Sequence, residues 1–251
     1  MGQHGEHRSL VIRAALVAAL TLVLAAPAAR TADCRLALLL ALDVSSSVDE
    51  DEDNLQRLGL AAALTAPNVQ AAFLSSPKPV ALAVFEWSGI NKQDTLLDWT
   101  LIETAQTLHQ SAARLGLSKR QTSEFPTAIG HAVIFATAQF ARAPRCDSYV
   151  LDVSGDGANN DGVTAKRVYK LFELDNVIVN GLAIETYGAK AADLSAKPGD
   201  IADYYRSELI KGPGAFVEVA KGFEDFERAM RRKLERELGV AILGQLETPR
   251  P

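Results

Sequence analysis

Short apolar runs alternate with longer amphipathic stretches along this chain. Most of the runs are nearly continuous in Leu, Ala, Val and Ile, which is the pattern of strands buried on both faces of a parallel sheet. We predict strands at residues 35–43, 79–87, 95–99, 148–153, 177–184 and 215–219. We predict helices from residue 49 to beyond residue 62 and at residues 103–115, 128–141, 163–174, 201–210 and 223–238. This alternation predicts one doubly wound α/β sheet with right-handed crossovers.

Three polar features modify this pattern. Residues 95–99 follow a polar turn after the second strand, which predicts a short antiparallel strand at an edge of the sheet. Asp152 and Asn180 lie inside apolar strands. Because a buried polar group needs a partner, they would hydrogen-bond each other if those strands are adjacent. The acidic run at residues 49–53 is favourable in a first helical turn and predicts a solvated helix start rather than a calcium loop.

The N-terminal segment has the pattern of a signal peptide. Two arginines precede an apolar run at residues 14–26, and small residues follow that run at the position of cleavage. The run is shorter than the roughly 20 apolar residues that a membrane-spanning helix needs, so we predict no stable membrane insertion. We therefore predict a signal peptide at residues 1–28, export to the periplasm or the medium, and a single domain at residues 29–251.

The composition is that of an ordinary globular protein. Of the 251 residues, 48% are hydrophobic and 23% are charged, which is far from the disordered and membrane classes. The net charge of −5 at pH 7 leaves no basic excess that could neutralise a phosphate backbone. The charge balance therefore argues against nucleic acid as a partner.

The chain has two cysteines, Cys34 and Cys146, and both follow the predicted signal peptide. Outside the cytoplasm, a pair of cysteines is more often bridged than free. Cys34 lies just before the first predicted strand, and Cys146 lies just before the fourth. If these strands are neighbours, their starts are close enough for a disulfide. Two unrelated buried thiols are the alternative.

The residues with the clearest metal chemistry follow the first and fourth strands. The first strand ends at Asp43, with Ser45 and Ser47 in the next turn, and the fourth is followed by Asp156. Ligands of open α/β sheets bind at the carboxyl ends of the strands, so both carboxylates are expected in one crevice. Two like charges placed together raise a pKa or recruit a cation. Oxygen ligands without Cys or His favour Mg²⁺, Mn²⁺ or Ca²⁺ over zinc.

Thr127 lies directly before the predicted helix at residues 128–141, where its hydroxyl would either cap the helix or face the metal. The candidate ligands in chain order are Asp43, Ser45, Ser47, Thr127 and Asp156. This pattern resembles the metal-ion-dependent adhesion site of von Willebrand factor type A domains. The resemblance implies that the three hydroxyls are metal ligands and that the two carboxylates bind the metal directly or through water.

The resemblance extends beyond the site. Segments at residues 85–89, 152–160, 180–183 and 212–216 are similar to a bacterial exported family of unknown function in the same superfamily. The resemblance implies a Rossmann-like six-stranded sheet of order 3-2-1-4-5-6, with strand 3 antiparallel at the edge and helices on both faces. Strands one and four are side by side in that order, which supports a Cys34–Cys146 disulfide.

These features predict a metal-dependent binding module rather than an enzyme. The ligand set leaves a position open on an octahedral ion, and a carboxylate of a protein or peptide partner would fill it. Glu86 and Trp87 end the second strand and are candidates for contacts at the rim of the site, with Trp87 in the core as the alternative. Asn159 and Asn160 are candidates for holding their loop or contacting a ligand.

Two other functions stay open. The crevice could carry out metal-assisted hydrolysis or phosphoryl transfer, since the chain resembles dehalogenase-type phosphatases in having Asp43 at the end of the first strand. Those enzymes need a second aspartate two residues later as acid and base, and Ser45 occupies that position here. A metal-free scaffold is the third function, and the complete set of candidate ligands argues against it.

Overall fold

One six-stranded sheet organises the fold, in the order β3-β2-β1-β4-β5-β6. The strands are β1 (Cys34–Asp43), β2 (Val80–Trp87), β3 (Gln93–Ile102), β4 (Cys146–Gly155), β5 (Val177–Ile184) and β6 (Val217–Ala220). β3 is antiparallel to β2, and the other neighbouring strands are parallel. This computed structural model describes residues 33–120, 124–172, 174–186 and 199–246. The predicted strand order and the antiparallel edge strand are confirmed.

Helices cover both faces of the sheet. They are α1 (Glu50–Thr65), α2 (Pro67–Phe73), α3 (Ala105–Gly116), α4 (Ile129–Ala141), α5 (Ala165–Tyr169), α6 (Asp200–Tyr204) and α7 (Phe226–Leu246). The apolar residues of α1, α2, α3 and α7 pack against one face, and those of α4, α5 and α6 pack against the other. Asp49 caps α1 in a reciprocal capping box with Glu52, so the acidic run is a helix start as predicted.

The central strand β1 positions the candidate site. All of its residues are buried, which explains its continuous apolar run. Leu40 and Leu42 face the side of α1 and α7, whereas Leu39 and Ala41 face the side of α4. β1 lies between β2 and β4, and Asp43 is its last residue. The strand therefore delivers Asp43 to the carboxyl edge of the sheet, at its centre.

The disulfide lies at the N-terminal ends of the central strands, opposite the candidate site. Cys34 and Cys146 are paired in register as the first residues of β1 and β4, and their sulfurs are bonded. The predicted bridge is confirmed. The disulfide joins β1 and β4 at their N-terminal ends, whereas Asp43 and Asp156 lie at or just after their C-terminal ends. It therefore fixes the register of these two strands at the ends farthest from the site.

Several elements differ in length from the sequence-based predictions. β3 is longer than residues 95–99 because its ladder with β2 continues into polar residues, which an edge strand can leave exposed. α5 has five residues instead of spanning residues 163–174. The helix predicted at residues 201–210 is α6 followed by a π-helical turn, Tyr205–Leu209. A 3₁₀ turn, Phe223–Asp225, precedes α7.

Asp152 and Asn180 are cross-strand neighbours, as the strand order requires, yet the hydrogen bond predicted between them is wrong. α7 supplies other partners to both residues. The Lys233 ammonium lies 3.0 Å from Asp152 Oδ1 and 2.6 Å from Glu237 Oε1. The Asn180 amide donates to Glu237 Oε1 at 2.7 Å. A lysine and a glutamate of α7 therefore pair with the buried polar residues of β4 and β5, while Asp152 Oδ2 has no hydrogen-bond partner among the described residues.

The predicted signal peptide, residues 1–28, lies outside the described residues. Within the described part of the chain, no helix combines the length and the apolar character that crossing a bilayer requires. The assignment of residues 29–251 to a single domain stays a prediction.

Candidate metal centre

The end of β1 holds Asp43 in a fixed position. The Ser45 backbone N–H donates to Asp43 Oδ1 at 2.8 Å, so the turn after the strand closes on its own carboxylate. The Gln56 side chain of α1 donates to the Asp43 carbonyl oxygen at 2.9 Å. The Val44 N–H donates to the Trp87 carbonyl, which continues the pairing with β2 past the end of the strand. Asp43 is fully buried.

A chain of hydroxyl contacts joins the other candidate ligands. Thr127 Oγ1 lies 3.3 Å from Ser45 Oγ, and Ser45 Oγ lies 3.2 Å from Ser47 Oγ. The Ser47 hydroxyl donates to Asp156 Oδ1 at 2.7 Å. The structure therefore brings all five candidate ligands together, from the turn after β1, the loop before α4 and the turn after β4.

The loop that carries Thr127 is fixed by two asparagines. Ala128, not Thr127, is the N-cap residue of α4, and its own side chain makes no capping hydrogen bond. The Thr127 hydroxyl is therefore turned towards the serines rather than used as a cap. The Thr127 N–H donates to Asn160 Oδ1 at 2.8 Å, and the Gly130 N–H donates to Asn159 Oδ1 at 3.2 Å. Asn159 and Asn160 thus tie the loop after β4 to the start of α4.

Two glycines make the close approach of these loops feasible. An ideal Cβ placed on Gly157 would lie 3.2 Å from Thr127 Oγ1, which is tighter than most side-chain contacts. A Cβ on Gly155 would lie 2.6 Å from Asp43 Oδ2. The Gly-Asp-Gly sequence around Asp156 therefore leaves room for the carboxylate of the neighbouring strand and for the threonine of the neighbouring loop.

The electrostatics of the centre are unfavourable for two carboxylates alone. Burial, with a smaller contribution from the charge of Asp156, raises the pKa of Asp43 to about 8, although hydrogen bonds from Ser45 oppose the rise. Burial also raises the pKa of Asp156, and the Ser47 hydroxyl opposes that rise. Among the described residues, no cationic side chain forms an ion pair with either carboxylate.

Three buried oxygens in this crevice have no hydrogen-bond partner among the described residues: Asp43 Oδ2, Asp156 Oδ2 and the Tyr205 hydroxyl. Buried polar atoms are normally satisfied, so these oxygens mark a place where an occupant from solution is expected. Two carboxylates and three hydroxyls are the oxygen donors that Mg²⁺, Mn²⁺ and Ca²⁺ prefer. The residues present therefore fit a hard divalent cation.

The centre is poor in charged ligands. Within the described ranges, no group of three or more His, Cys, Asp or Glu side chains is arranged to hold a metal. A cation here would depend on the hydroxyls of Ser45, Ser47 and Thr127 for most of its protein contacts, with a negative charge supplied only by Asp43 and Asp156.

Glu86 is not at the rim of the centre, contrary to the prediction, and Trp87 lies in the core, which agrees with the alternative given for it. Both are buried, with 2% and 0% of their surface exposed. Glu86 forms an ion pair with Arg57 at 2.5 Å, and Arg57 also binds Asp53 at 2.9 Å. Trp87 packs in the core between the sheet and α4. Glu86 is covered because Arg57 of α1 pairs with it, and Trp87 is covered by α4.

Two residues of the centre were missed from the sequence. Gln56 supports the Asp43 carbonyl from α1, and Tyr205 places its hydroxyl near both carboxylates from the π-helical turn. Burial and the charges of Asp43 and Asp156 raise the pKa of Tyr205 well above its ordinary value, so the phenol keeps its proton. The only sequence feature that pointed to Tyr205 was the pair of strand glycines, Gly155 and Gly181, that make room for it. A glycine in a strand does not indicate which side chain fills the space beside it.

An open cleft of about 550 Å³ lies beside the turn after β1. Its lining comprises Ser46, Val48, Asp49, Glu50, Asp53, Asn54, Ser118, Lys119 and Arg120. The cleft carries side chains of both charges. Ser46, which lies between two of the candidate ligands, belongs to its wall.

Comparisons with known proteins agree with this fold. The family model described as Protein of unknown function (DUF1194) matches residues 33–242. No curated protein sequence is significantly similar to the chain. Among solved structures, the chain is similar to a von Willebrand factor type A protein from Catenulispora acidiphila, with a TM-score of 0.52 and 16% identity over 84% of this chain and 43% of that one.

Two other solved structures are similar in the same way. The pilus adhesin SpaC from Lactobacillus rhamnosus GG gives a TM-score of 0.59 and 12% identity over 83% of this chain and 31% of that one. Proximal thread matrix protein 1 from the mussel byssus, with a zinc-occupied MIDAS motif, gives a TM-score of 0.51. Its sequence is 15% identical over 83% of this chain and 48% of that one. The chain spans less than half the length of each of these proteins. At these identities the similarity shows the von Willebrand factor type A fold.

Proposed function

This chain belongs to the family described as Protein of unknown function (DUF1194), and we propose that it is an exported module that binds a divalent cation and, through it, a carboxylate of a protein partner. One observation carries the proposal. Two buried carboxylate oxygens without partners among the described residues, Asp43 Oδ2 and Asp156 Oδ2, lie beside three clustered hydroxyls at the centre of the carboxyl edge of the sheet.

The ligands that would hold the ion are Asp43, Ser45, Ser47, Thr127 and Asp156, with Mg²⁺ as the first candidate and Mn²⁺ or Ca²⁺ as alternatives. When bound, the cation supplies a positive centre that accepts an anionic ligand. The two carboxylates can balance the charge of the ion, but five protein ligands leave one position open on an octahedral ion. A carboxylate from a partner would complete the set, and the adhesin among the similar structures supports a role in protein binding.

A binding role is favoured over catalysis by what the residues around the centre do. Ser45 occupies the position where an acid–base aspartate would be needed, and its hydroxyl is engaged by Ser47 and Thr127. His131, on α4, packs closely beneath Gly162, where an added Cβ would lie 2.6 Å from its ring. Apart from the five candidate ligands, the described residues at the centre therefore offer no free general base, so we propose that the chain is not an enzyme.

Export is part of the proposal. The Cys34–Cys146 disulfide is buried, and such bonds form and persist mainly outside the cytoplasm. This supports a periplasmic or secreted location, which agrees with the signal peptide predicted at residues 1–28. The bond joins the two strands that carry the carboxylates, so an oxidising compartment would also be the one in which the centre is assembled.

The function is tested with pairs of short immobilised peptides that differ only in Asp against Asn or Glu against Gln at one position. We expect the protein to bind members of the acidic set in MgCl₂, to release them in EDTA, and to ignore the amide counterparts. Asp43→Ala should abolish binding, whereas Asp147→Asn, at an exposed carboxylate paired with Lys78, should not change it. Binding that survives EDTA would reject the proposed function.

The enzymatic alternative is separated by one further measurement. Magnesium-dependent hydrolysis of a phosphate monoester such as p-nitrophenyl phosphate should be absent from the wild-type protein. Turnover that disappears in Asp43→Ala but persists in Asp147→Asn would instead support a metal-assisted hydrolase at the same crevice.

A further inference from the structure

Tyr205 is buried behind the candidate metal centre, where it belongs to none of the predicted ligands. Its side chain has 0% of its surface exposed, and within the described structure its hydroxyl has no hydrogen-bond partner. The point that a Cβ of Gly155 would occupy lies 2.7 Å from this hydroxyl and 2.6 Å from Asp43 Oδ2. The phenol donor and the unpartnered carboxylate oxygen therefore flank the same gap.

Two strand glycines make room for this arrangement. A Cβ on Gly155 would collide with the Tyr205 hydroxyl, and a Cβ on Gly181 would lie 2.7 Å from the Tyr205 ring. Neither glycine has a positive φ, so the backbone conformation does not require glycine at either position. The missing side chains instead provide the space for the ring and its hydroxyl, on the adjacent strands β4 and β5.

The backbone that carries Tyr205 is also fixed. Tyr205 begins the π-helical turn, and its carbonyl accepts the i to i+5 hydrogen bond from the Ile210 N–H at 3.1 Å. Tyr169 on α5 donates to the Leu209 carbonyl at 2.5 Å, which ties down the other end of the turn. Glu185, just after β5, accepts from the N–H groups of Gly199 and Ala202 at the start of α6. Single π turns are frequent at functional sites.

We propose that Tyr205 is a positioning residue of the metal centre, whose hydroxyl donates to the Asp43 carboxylate through one water and orients it for the cation. The proposal rests on the proposed function. A buried phenol needs an acceptor, and the unpartnered Asp43 oxygen needs a donor or a cation, so the two groups are complementary. Partners of metal ligands orient those ligands and strengthen metal binding.

The test is calorimetric titration of the full chain with MgCl₂ and with MnCl₂. Tyr205→Phe removes one oxygen and keeps the ring between the two glycines. We expect it to weaken cation affinity by roughly ten-fold. Without metal, its melting temperature should change little, because the ring that packs against the two glycines is kept. A purely structural tyrosine would not separate affinity from stability in this way.

Tyr169→Phe is the matched control. It removes a hydroxyl that holds the same turn but does not face the centre, so it should lower the melting temperature and leave cation affinity unchanged. Gly181→Ala is a second test, because its added methyl displaces the Tyr205 ring without touching a candidate ligand. Gly181→Ala should also weaken cation affinity. If Tyr205→Phe does not fold, the cation affinity of Gly181→Ala tests the role of Tyr205 instead.

A spectroscopic measurement follows the hydroxyl itself. Adding MgCl₂ to the wild type should give a tyrosine difference spectrum in the near ultraviolet, which Tyr205→Phe loses and Tyr169→Phe keeps. Equal cation affinity in wild type and Tyr205→Phe, with the difference spectrum unchanged, would overturn the role of Tyr205 and leave the proposed function intact. A wild type that binds no cation would overturn the proposed function, and the role of Tyr205 with it.

Discussion

β4 leads to two buried aspartates in opposite electrostatic surroundings. Asp152, in the strand, faces α7, where the Lys233 ammonium lies 3.0 Å from it and also binds Glu237. Asp156, just after the strand, receives a hydrogen bond from the Ser47 hydroxyl and faces Asp43. The first cluster contains its own cation. The second combines two carboxylates with neutral hydroxyls, and the described residues supply no cation to it.

This difference separates a structural cluster from a functional one. Burial raises the pKa of Asp152 to about 7, and the charge of Lys233 opposes that rise. The pKa of Asp43 rises to about 8 with another carboxylate beside it. Burying a charge is costly unless it is paired, so the internal cation compensates part of the negative charge of the first cluster. The second is left dependent on a charge from outside the described chain, which is why we assign the function to it.

The largest effect should come from removing the internal cation. Lys233→Met leaves Asp152 and Glu237 buried together without a positive charge, so we expect the free energy of unfolding to fall by about 3–5 kcal/mol in urea titrations. Arg206→Met is the control, because Arg206 pairs with Asp203 at the surface and should cost about 1 kcal/mol or less. Similar losses in the two variants would mean that Lys233 does not compensate a buried charge.

A smaller effect should follow from supplying the external cation. At a MgCl₂ concentration of 100 times the dissociation constant, the wild type should gain about 2.7 kcal/mol of unfolding free energy, because the ion binds only the folded state. Asp156→Asn should lose this gain, and Asp152→Asn should keep it. A gain that survives in Asp156→Asn, measured by thermal or urea unfolding, would contradict the assignment of the centre.

An effect that is small for each pH unit concerns the internal cluster. The folded pKa of Asp152, about 7, is above its ordinary value of 3.8, so Asp152 stabilises the fold in acid and this contribution is lost as pH rises from about 4 to 7. In EDTA, the wild type should therefore lose stability relative to Asp152→Asn over that range, by at most about 1.4 kcal/mol per pH unit. Lys233 and Glu237 face Asp152 and are present in both proteins.

Asp147→Asn is the control for that comparison, since Asp147 is an exposed carboxylate. Its stability should follow the wild-type pH profile. An Asp152→Asn profile parallel to the wild type between pH 4 and 7 would show that Asp152 titrates near its ordinary value in the folded protein.

The amino-acid sequence placed Asp43, Ser45, Ser47 and Asp156 after adjacent strands, and its resemblance to von Willebrand factor type A domains implied the strand order, the disulfide and the full cluster with Thr127. These features depend on patterns within single strands and on which strands are neighbours in the sheet. A continuous apolar run predicts a buried parallel strand, and the carboxyl ends of adjacent parallel strands meet at one edge. Once β1 and β4 are neighbours, their starts bring Cys34 and Cys146 together, and their ends bring Asp43 and Asp156 together.

Packing between distant segments was needed for the rest. Lys233 and Glu237 are helix residues whose charges suggest solvent exposure, and only the contact of α7 with the sheet buries them beside Asp152. Glu86 and Trp87 have the alternation of a strand end, but which side is covered depends on α1 and α4. Tyr205 reaches the centre through the spaces at Gly155 and Gly181. Side-chain burial depends on which surfaces meet, and periodicity along a single segment does not contain that information.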